Sequence, residues 1–253
     1  QSGLVGKNSA IDIANRIINS YYNGKMCMYE FRPAIAANYD GAYDEPKHLI
    51  AAQEPWSGFY RLDSGFWMAM HFSRFSPKGW LFVNGACYGD GEENHAIEHT
   101  SHNFMTLVSP DRSEMTMHFT NEDLFPRTYS VQLKDMGFTN RMLSTVITTG
   151  PNPGEAFDAN WFRRGKPIKP SHRNGETYFI KVPPQSIMTI TTLDTGWVNG
   201  VETFSHNIPN AERLPLPYQD NFRYQSDEIM VRGCAPRYMT DQGGAFELIH
   251  SDQ

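Results

Sequence analysis

Gln53, Glu54, Trp56 and Ser57 crowd into five consecutive positions, directly after the apolar run His48-Leu49-Ile50-Ala51-Ala52. A carboxamide, a carboxylate and a hydroxyl grouped around one indole at a strand end suit a sugar. The ring stacks on the apolar face of a pyranose while the polar groups hydrogen-bond its hydroxyls. Pro55-Trp56-Ser57-Gly58 also reads as an ordinary turn with a packed Trp. A second group, His95, Glu98, His99 and His102, has zinc donors at spacings that would gather them on one helix. It follows Gly89-Asp90-Gly91-Glu92-Glu93-Asn94, a loop sequence, and its helical face lacks apolar support, so a polar surface loop is the preferred reading and no metal is assigned. Glu30 and Glu54 sit near strand ends in apolar settings that could raise a carboxyl pKa, which makes them a tempting acid and nucleophile pair, but the preferred reading of Glu54 is a supporting hydrogen bond that holds Trp56 or a neighbouring loop.

These residues need elements to position them. Asn8-Ser9 can cap a helix with Asp12 in its first turn, and Ala10, Ile13, Ala14, Ile17, Ile18 and Tyr21 recur at helical spacing. Asn23-Gly24 is expected to close that helix in a left-handed conformation. Lys25 to Phe31 reads as a strand ended by Arg32-Pro33, residues 32–47 as a loop with some helical character, Leu49 to Ala52 as a short strand, and Ser64 to Phe72 as a second helix. Helix, strand, loop, strand, helix is the pattern expected of the last part of a (β/α)8 barrel. From Gly79 onward the texture changes to short strands: 80–83, 104–108, 115–119, 128–133, 142–148, 177–182 and 186–192. Ser109-Pro110-Asp111-Arg112-Ser113 marks a hairpin, and the spacing predicts an antiparallel β-sandwich. The fold class expected is therefore α/β followed by all-β. Residues 207–219, with Pro209, Pro215 and Pro217, read as a linker, and Phe246 to Ile249 as the start of a further domain.

Five segments, in one order, resemble glycoside hydrolase family 59. They are Ala52 to Gly58 with Tyr60, Phe75-Ser76-Pro77-Lys78-Gly79-Trp80, Thr189 to Gly196, Tyr218-Gln219-Asp220-Asn221-Phe222, and Asp241 to Glu247. The stretch from Gly85 to Ser186 matches loosely. The resemblance implies the C-terminal portion of a (β/α)8 barrel over residues 1–75, a β-sandwich over 76–200, and a Pro-rich linker with the start of a lectin-like domain over 201–253. It also implies retaining cleavage of terminal β-galactosides, glycolipid headgroups among them, by two carboxylates about 5–5.5 Å apart. In the family the acid/base Glu follows Trp-Asn and the nucleophile lies in Ser-Ser-Glu. Neither occurs in this sequence, so no catalytic residue is assigned. A whole barrel takes about 250 residues, and the chain is read as a piece of a longer protein, inactive alone, whose partner is the N-terminal part of the barrel. Among substrate contacts, a family Tyr corresponds to Tyr43 and a family Arg reaching from the sandwich to Arg127. Glu54 and Trp56 complete the expected substrate-binding set. The family's substrate-facing Trp falls on Arg32 beside Phe31, a departure that weakens the ground for galactose specificity. A secreted, periplasmic or lysosomal location follows from the resemblance alone.

Composition bounds the alternatives. With 253 residues, 40% hydrophobic, 20% charged and a net charge of −6, the chain has a globular composition without the basic stripe that nucleic acid requires. No apolar run approaches the roughly 20 residues that span a bilayer. Cys27, Cys87 and Cys234 form neither a disulfide framework nor a metal spacing, and no cofactor is implied. Two other readings stand beside the glycosidase: a non-catalytic carbohydrate-binding sandwich, and a metal hydrolase built on the histidine cluster.

Overall fold

The computed structural model describes residues 4–5, 9–31, 33–36, 48–52, 60–89, 102–149, 161–171, 177–198, 216–223 and 238–239. Helix α1 (Ala10–Tyr22) starts where the sequence places it, with the Ser9 hydroxyl accepting from Asp12 N–H and Asp12 paired to Arg16 at 3.0 Å. Ala10, Ile11, Ala14, Ile17 and Ile18 line its buried face. Its C-terminal end differs from expectation. The left-handed residue is Lys25 (φ 52°), and Gly24 serves instead because a Cβ there would stand 2.8 Å from the Ser20 carbonyl, the group that accepts Met26 N–H at 3.0 Å.

Residues 25–31 form no strand. A strand needs a neighbour to complete its ladder, and among the described residues no strand pairs with this segment. Met26 and Met28 are 56% and 75% exposed. The strand falls later, at β1 (Ile35–Ala36), inside the span read as a loop. It runs parallel to β2 (Ile50–Ala51), which pairs antiparallel with β3 (Arg61–Leu62). Asp63 then leads into α2 (Ser64–Phe75). Its buried carboxylate meets His48 at 2.8 Å and Arg61 at 3.0 Å, tying β2 and β3 to the start of the helix.

Eight further strands follow: β4 (Leu81–Phe82), β5 (Phe104–Val108), β6 (Met115–Asn121), β7 (Arg127–Gln132), β8 (Ser144–Thr148), β9 (Arg163–Arg164), β10 (Thr177–Val182) and β11 (Ser186–Thr191). Six of them form an antiparallel sheet in the order β4-β5-β6-β11-β8-β9, and β10 pairs with β7 in a second, smaller sheet. The hairpin at Ser109–Ser113 is present. Asp111 accepts from the Ser109 hydroxyl at 2.6 Å and from Ser113 N–H and hydroxyl, which holds its carboxyl down at about 2. The two sheets enclose one core, with Met115, Met117, Phe119, Met188 and Ile190 on one side and Tyr178, Ile180 and Val182 on the other.

The opposite face of the large sheet is also covered, because α1 and α2 lie on it. Its helix-facing positions include Thr116, His118, Thr120, Thr148, Thr189 and Thr191, all at most 2% exposed. Polar groups at such depth must find partners. Thr120 donates to Asn15 of α1 at 2.5 Å. Thr116 and Thr191 share a hydrogen bond of 2.8 Å. Thr148, Thr189 and His118 join His71 and Ser76 in one chain whose direction is fixed from its end. The Thr148 hydroxyl donates to the Trp161 carbonyl, so its oxygen accepts the Nε2–H of His71 (2.9 Å). Nδ1 of His71 then accepts from the Thr189 hydroxyl (2.7 Å), Thr189 accepts Nδ1–H of His118 (2.9 Å), and Nε2 of His118 accepts from Ser76 (2.9 Å). Both imidazoles are neutral and their tautomers follow from the chain. Burial, with a contribution from the neighbouring His118, lowers His71 well below the ordinary histidine value, and burial pushes His118 down to about 3. Register enforces the contact: His118 and Thr189 are directly opposite on β6 and β11, and a one-residue slip would turn one of them to the other face.

No helix among the described residues is long and apolar enough to cross a membrane. Two outcomes follow from the buried chain. Unfolded histidines bind protons below about pH 6.5 while the folded ones do not, so stability is complete above that pH. It falls as acid is added, by up to about 1.4 kcal/mol per pH unit for each imidazole, down toward pH 3 for His118. Urea titrations between pH 8 and pH 4 will show this slope. Thr189→Val, which removes the hydroxyl both rings share, is expected to cost about 1–3 kcal/mol at pH 7.5 and to flatten that dependence.

Candidate functional site

Of the residues the sequence nominates, Arg127 lies in the described part of the structure. Tyr43, Glu54 and Trp56 lie outside the described residues, as do Arg32, His95, Glu98 and His99. Glu30 is exposed, so the apolar setting that made it half of a carboxylate pair is absent. Phe31 is half-buried and packs toward the α1–α2 core. His102 stacks on Tyr88, with ring centroids 5.4 Å apart, and among the described residues no three His, Cys, Asp or Glu side chains gather as a metal site.

Arg127 opens β7 at the end of the loop that follows β6, and the loop is built to hold it. Asn121, fully buried at the end of β6, accepts Asp123 N–H at 3.1 Å. It donates to the carbonyls of Phe125 (3.0 Å) and Pro183 (2.8 Å). One side chain thus braces its own loop against the turn between β10 and β11. Gln185 N–H adds a bond to the Asp123 carbonyl at 3.0 Å. Leu124 and Phe125 are left exposed at the tip, 81% and 53%. The Asp123 carboxylate, 1% exposed, takes the Nε–H of Arg127 in a close ion pair, and the guanidinium lies 5.0 Å from the centre of the Phe125 ring. Among the described residues Nη1 and Nη2 of Arg127 have no hydrogen-bond partner, and the side chain is 30% exposed.

Behind Arg127 the wall is aromatic. Tyr129 meets Phe104 at 5.5 Å and Phe119 at 5.0 Å, and Phe104 meets Tyr88 at 6.1 Å. Burial pushes the Tyr129 phenol up to about 12, with Arg127 pulling down and Asp123 and Tyr88 pushing up, so it stays protonated at working pH. A fixed guanidinium fork beside aromatic faces can donate to hydroxyl or carboxylate oxygens of a ligand. It supplies neither a nucleophile nor an acid.

Comparisons with known proteins place the chain among its relatives. The model of Glycosyl hydrolase family 59 matches residues 2–74. Galactocerebrosidase from Danio rerio is 26% identical over 249 residues, 93% of this chain, and that from Homo sapiens is 31% identical over 253 residues, 92% of the chain. By these matches residues 2–74 resemble glycosyl hydrolase family 59, and most of the chain is similar to galactocerebrosidases at modest identity. It spans about a third of the length of these curated relatives, 35% and 33% respectively. Solved structures extend the likeness at the level of fold. A GH30 xylanase C catalytic domain from Talaromyces cellulolyticus superposes with TM-score 0.52 at 12% identity, over 77% of this chain and 38% of that one. An arabinose-bound MgGH51 α-L-arabinofuranosidase gives 0.52 at 15% identity, over 73% and 27%. The fold of the chain is thus shared with parts of these two proteins.

Sequence reasoning nominated Arg127 but not the residues that hold it. Asn121-Glu122-Asp123 reads as turn punctuation, and only the fold reveals that Asn121 reaches a second turn at Pro183. Asn121→Ala is expected to cost about 1–3 kcal/mol, the range for leaving buried partners unsatisfied. Amide hydrogen exchange over residues 122–126 should accelerate more than in β6 itself, which mass spectrometry will report.

Proposed function

We propose that the chain is the barrel-end and sandwich portion of a retaining β-galactosidase resembling galactocerebrosidase. Residues 1–75 would form the C-terminal part of a (β/α)8 barrel, 76–200 the β-sandwich, and 201–253 a Pro-rich linker with the start of a lectin-like domain. The observation that carries this reading is the family 59 match over residues 2–74, within similarity to galactocerebrosidases over nine tenths of the chain. The parallel β1–β2 pair followed by α2 is in keeping with a barrel end. So is the unpaired segment 25–31, which leaves Met26 and Met28 exposed, as Ile35 is at 60%. An adjoining cavity of about 780 Å³ is lined by Tyr21, Tyr29, Phe72, Trp80 and Phe82. Such apolar surface suits the remaining barrel as its partner.

In the intact enzyme two glutamates upstream would do the bond-breaking. Arg127 would donate to the galactoside from the sandwich side, with Tyr43, Glu54 and Trp56 contacting the sugar from the barrel side. The substrate class is a terminal β-galactoside, such as a glycolipid headgroup.

Two measurements test this. Purified 1–253 is expected to give no turnover of an aryl β-galactoside, and measurable hydrolysis would overturn the assignment of the catalysts. Adding the upstream part of the barrel in trans is expected to restore turnover and to lower the exposure of Met26 and Met28 to oxidative labelling. Restored binding with no hydrolysis would instead favour a non-catalytic carbohydrate module.

A further inference from the structure

We infer that Asp123 is the positioning residue for the Arg127 contact, holding the guanidinium ready before the ligand arrives; this rests on the reading above that Arg127 touches the galactoside. Asp123 is too deeply buried to reach a ligand itself, at 1% exposure. One of its oxygens holds Arg127 Nε, and the other finds no hydrogen-bond donor among the described residues. For loop stability alone that is a poor arrangement, since a buried charge half satisfied costs more than a neutral amide in the same place. It makes sense as a means of fixing a cation. An arginine side chain is long and flexible, and ordering it only on binding would weaken the contact. Here three constraints order it in advance. The carboxylate takes Nε, the Phe125 ring lies against the guanidinium plane, and the backbone of Asp123 is pinned at both its N–H and its carbonyl. The two terminal nitrogens remain for the ligand. Because Asn121 joins this loop to the Pro183 turn, the position of Arg127 is set by the two-sheet scaffold and not by the loop tip.

The test is a double-mutant cycle in the full-length enzyme, reading kcat and KM on an aryl β-galactoside together with the melting temperature. Arg127→Ala is expected to lower kcat/KM about 100-fold, and Asp123→Asn about 10-fold with most of the change in KM. The double variant should be no worse than Arg127→Ala, because a positioning group has nothing left to position. Wild-type kcat/KM in Arg127→Ala would sink the sugar contact itself, whatever Asp123 does. A clear loss in Arg127→Ala with wild-type behaviour in Asp123→Asn, or losses that multiply in the double variant, would overturn the positioning role and leave the sugar contact standing. Should Asp123→Asn fail to fold, Asp123→Glu enters the same cycle. It keeps the charge but moves it by one methylene, and an intermediate loss that vanishes in the Arg127→Ala background is the expected result.

Discussion

A single hydroxyl, that of Thr189, accepts a hydrogen bond from one buried imidazole and donates one to another, and the joint between the helices and the sheets depends on it. Ser76 at the end of α2, His118 on β6, Thr189 on β11, His71 within α2 and Thr148 on β8 each have one place in the chain that ends at the Trp161 carbonyl. An apolar interface tolerates sliding, because one methyl contact substitutes for another. A directional chain of neutral groups does not, since displacement of any member strands a donor or an acceptor in a place that water cannot reach. The helical layer is therefore fixed in both angle and height over the large sheet. Packing reinforces this from either side, with Phe72 against His118 at 4.8 Å and Phe162 edge-on to His71 at 4.9 Å.

The same chain explains why segments far apart in the sequence behave as one unit. Phe75-Ser76 and Thr189 open two of the five segments by which the family resemblance was read, and in the fold they meet through His118. Phe75 also stacks on Trp197 at 5.8 Å, with Arg74 4.6 Å from the same ring, so the stretch just after β11 folds back over the end of α2. What reads as two separate motifs is one junction seen twice.

Much of the architecture was legible because local patterns matched their elements. The Asn8-Ser9 cap, the apolar stripe of α1, the Ser109–Ser113 turn and the strand-like runs 177–182 and 186–192 each placed an element within a residue or two. Three things were not legible, for distinct physical reasons. Lys25 to Phe31 has strand composition, but a ladder is a property of two segments, and composition does not report the neighbour. The left-handed cap passed from Gly24 to Lys25 because the glycine was needed for its missing Cβ, a close approach invisible without the Ser20 carbonyl. Alternating Thr and His on β6 and β11 look alike whether they face water or a polar, fully paired interior. At the candidate site, Arg127 was reached through the resemblance, whereas Asn121 and Asp123 act through a turn sixty residues away in the chain, a distance over which no local pattern operates.

A rigid junction matters to a binding loop because precision is inherited. The loop carrying Arg127 leaves from β6, the strand that holds His118, and it is braced to the turn that feeds β11, the strand that holds Thr189. Both strands are anchored to α2 by the buried chain. Any ligand contact made by Arg127 is thus referred to the helical layer through hydrogen bonds and backbone ladders, with little free loop between. A side chain offered from one layer to a site in another must be placed to a fraction of an ångström to favour a transition state over its substrate. Exposed Leu124 and Phe125 do not undo this, since their backbone is held from inside by Asn121. The arrangement separates two tasks that loops usually combine: the tip is free to make contact, while the residues at its base keep it still.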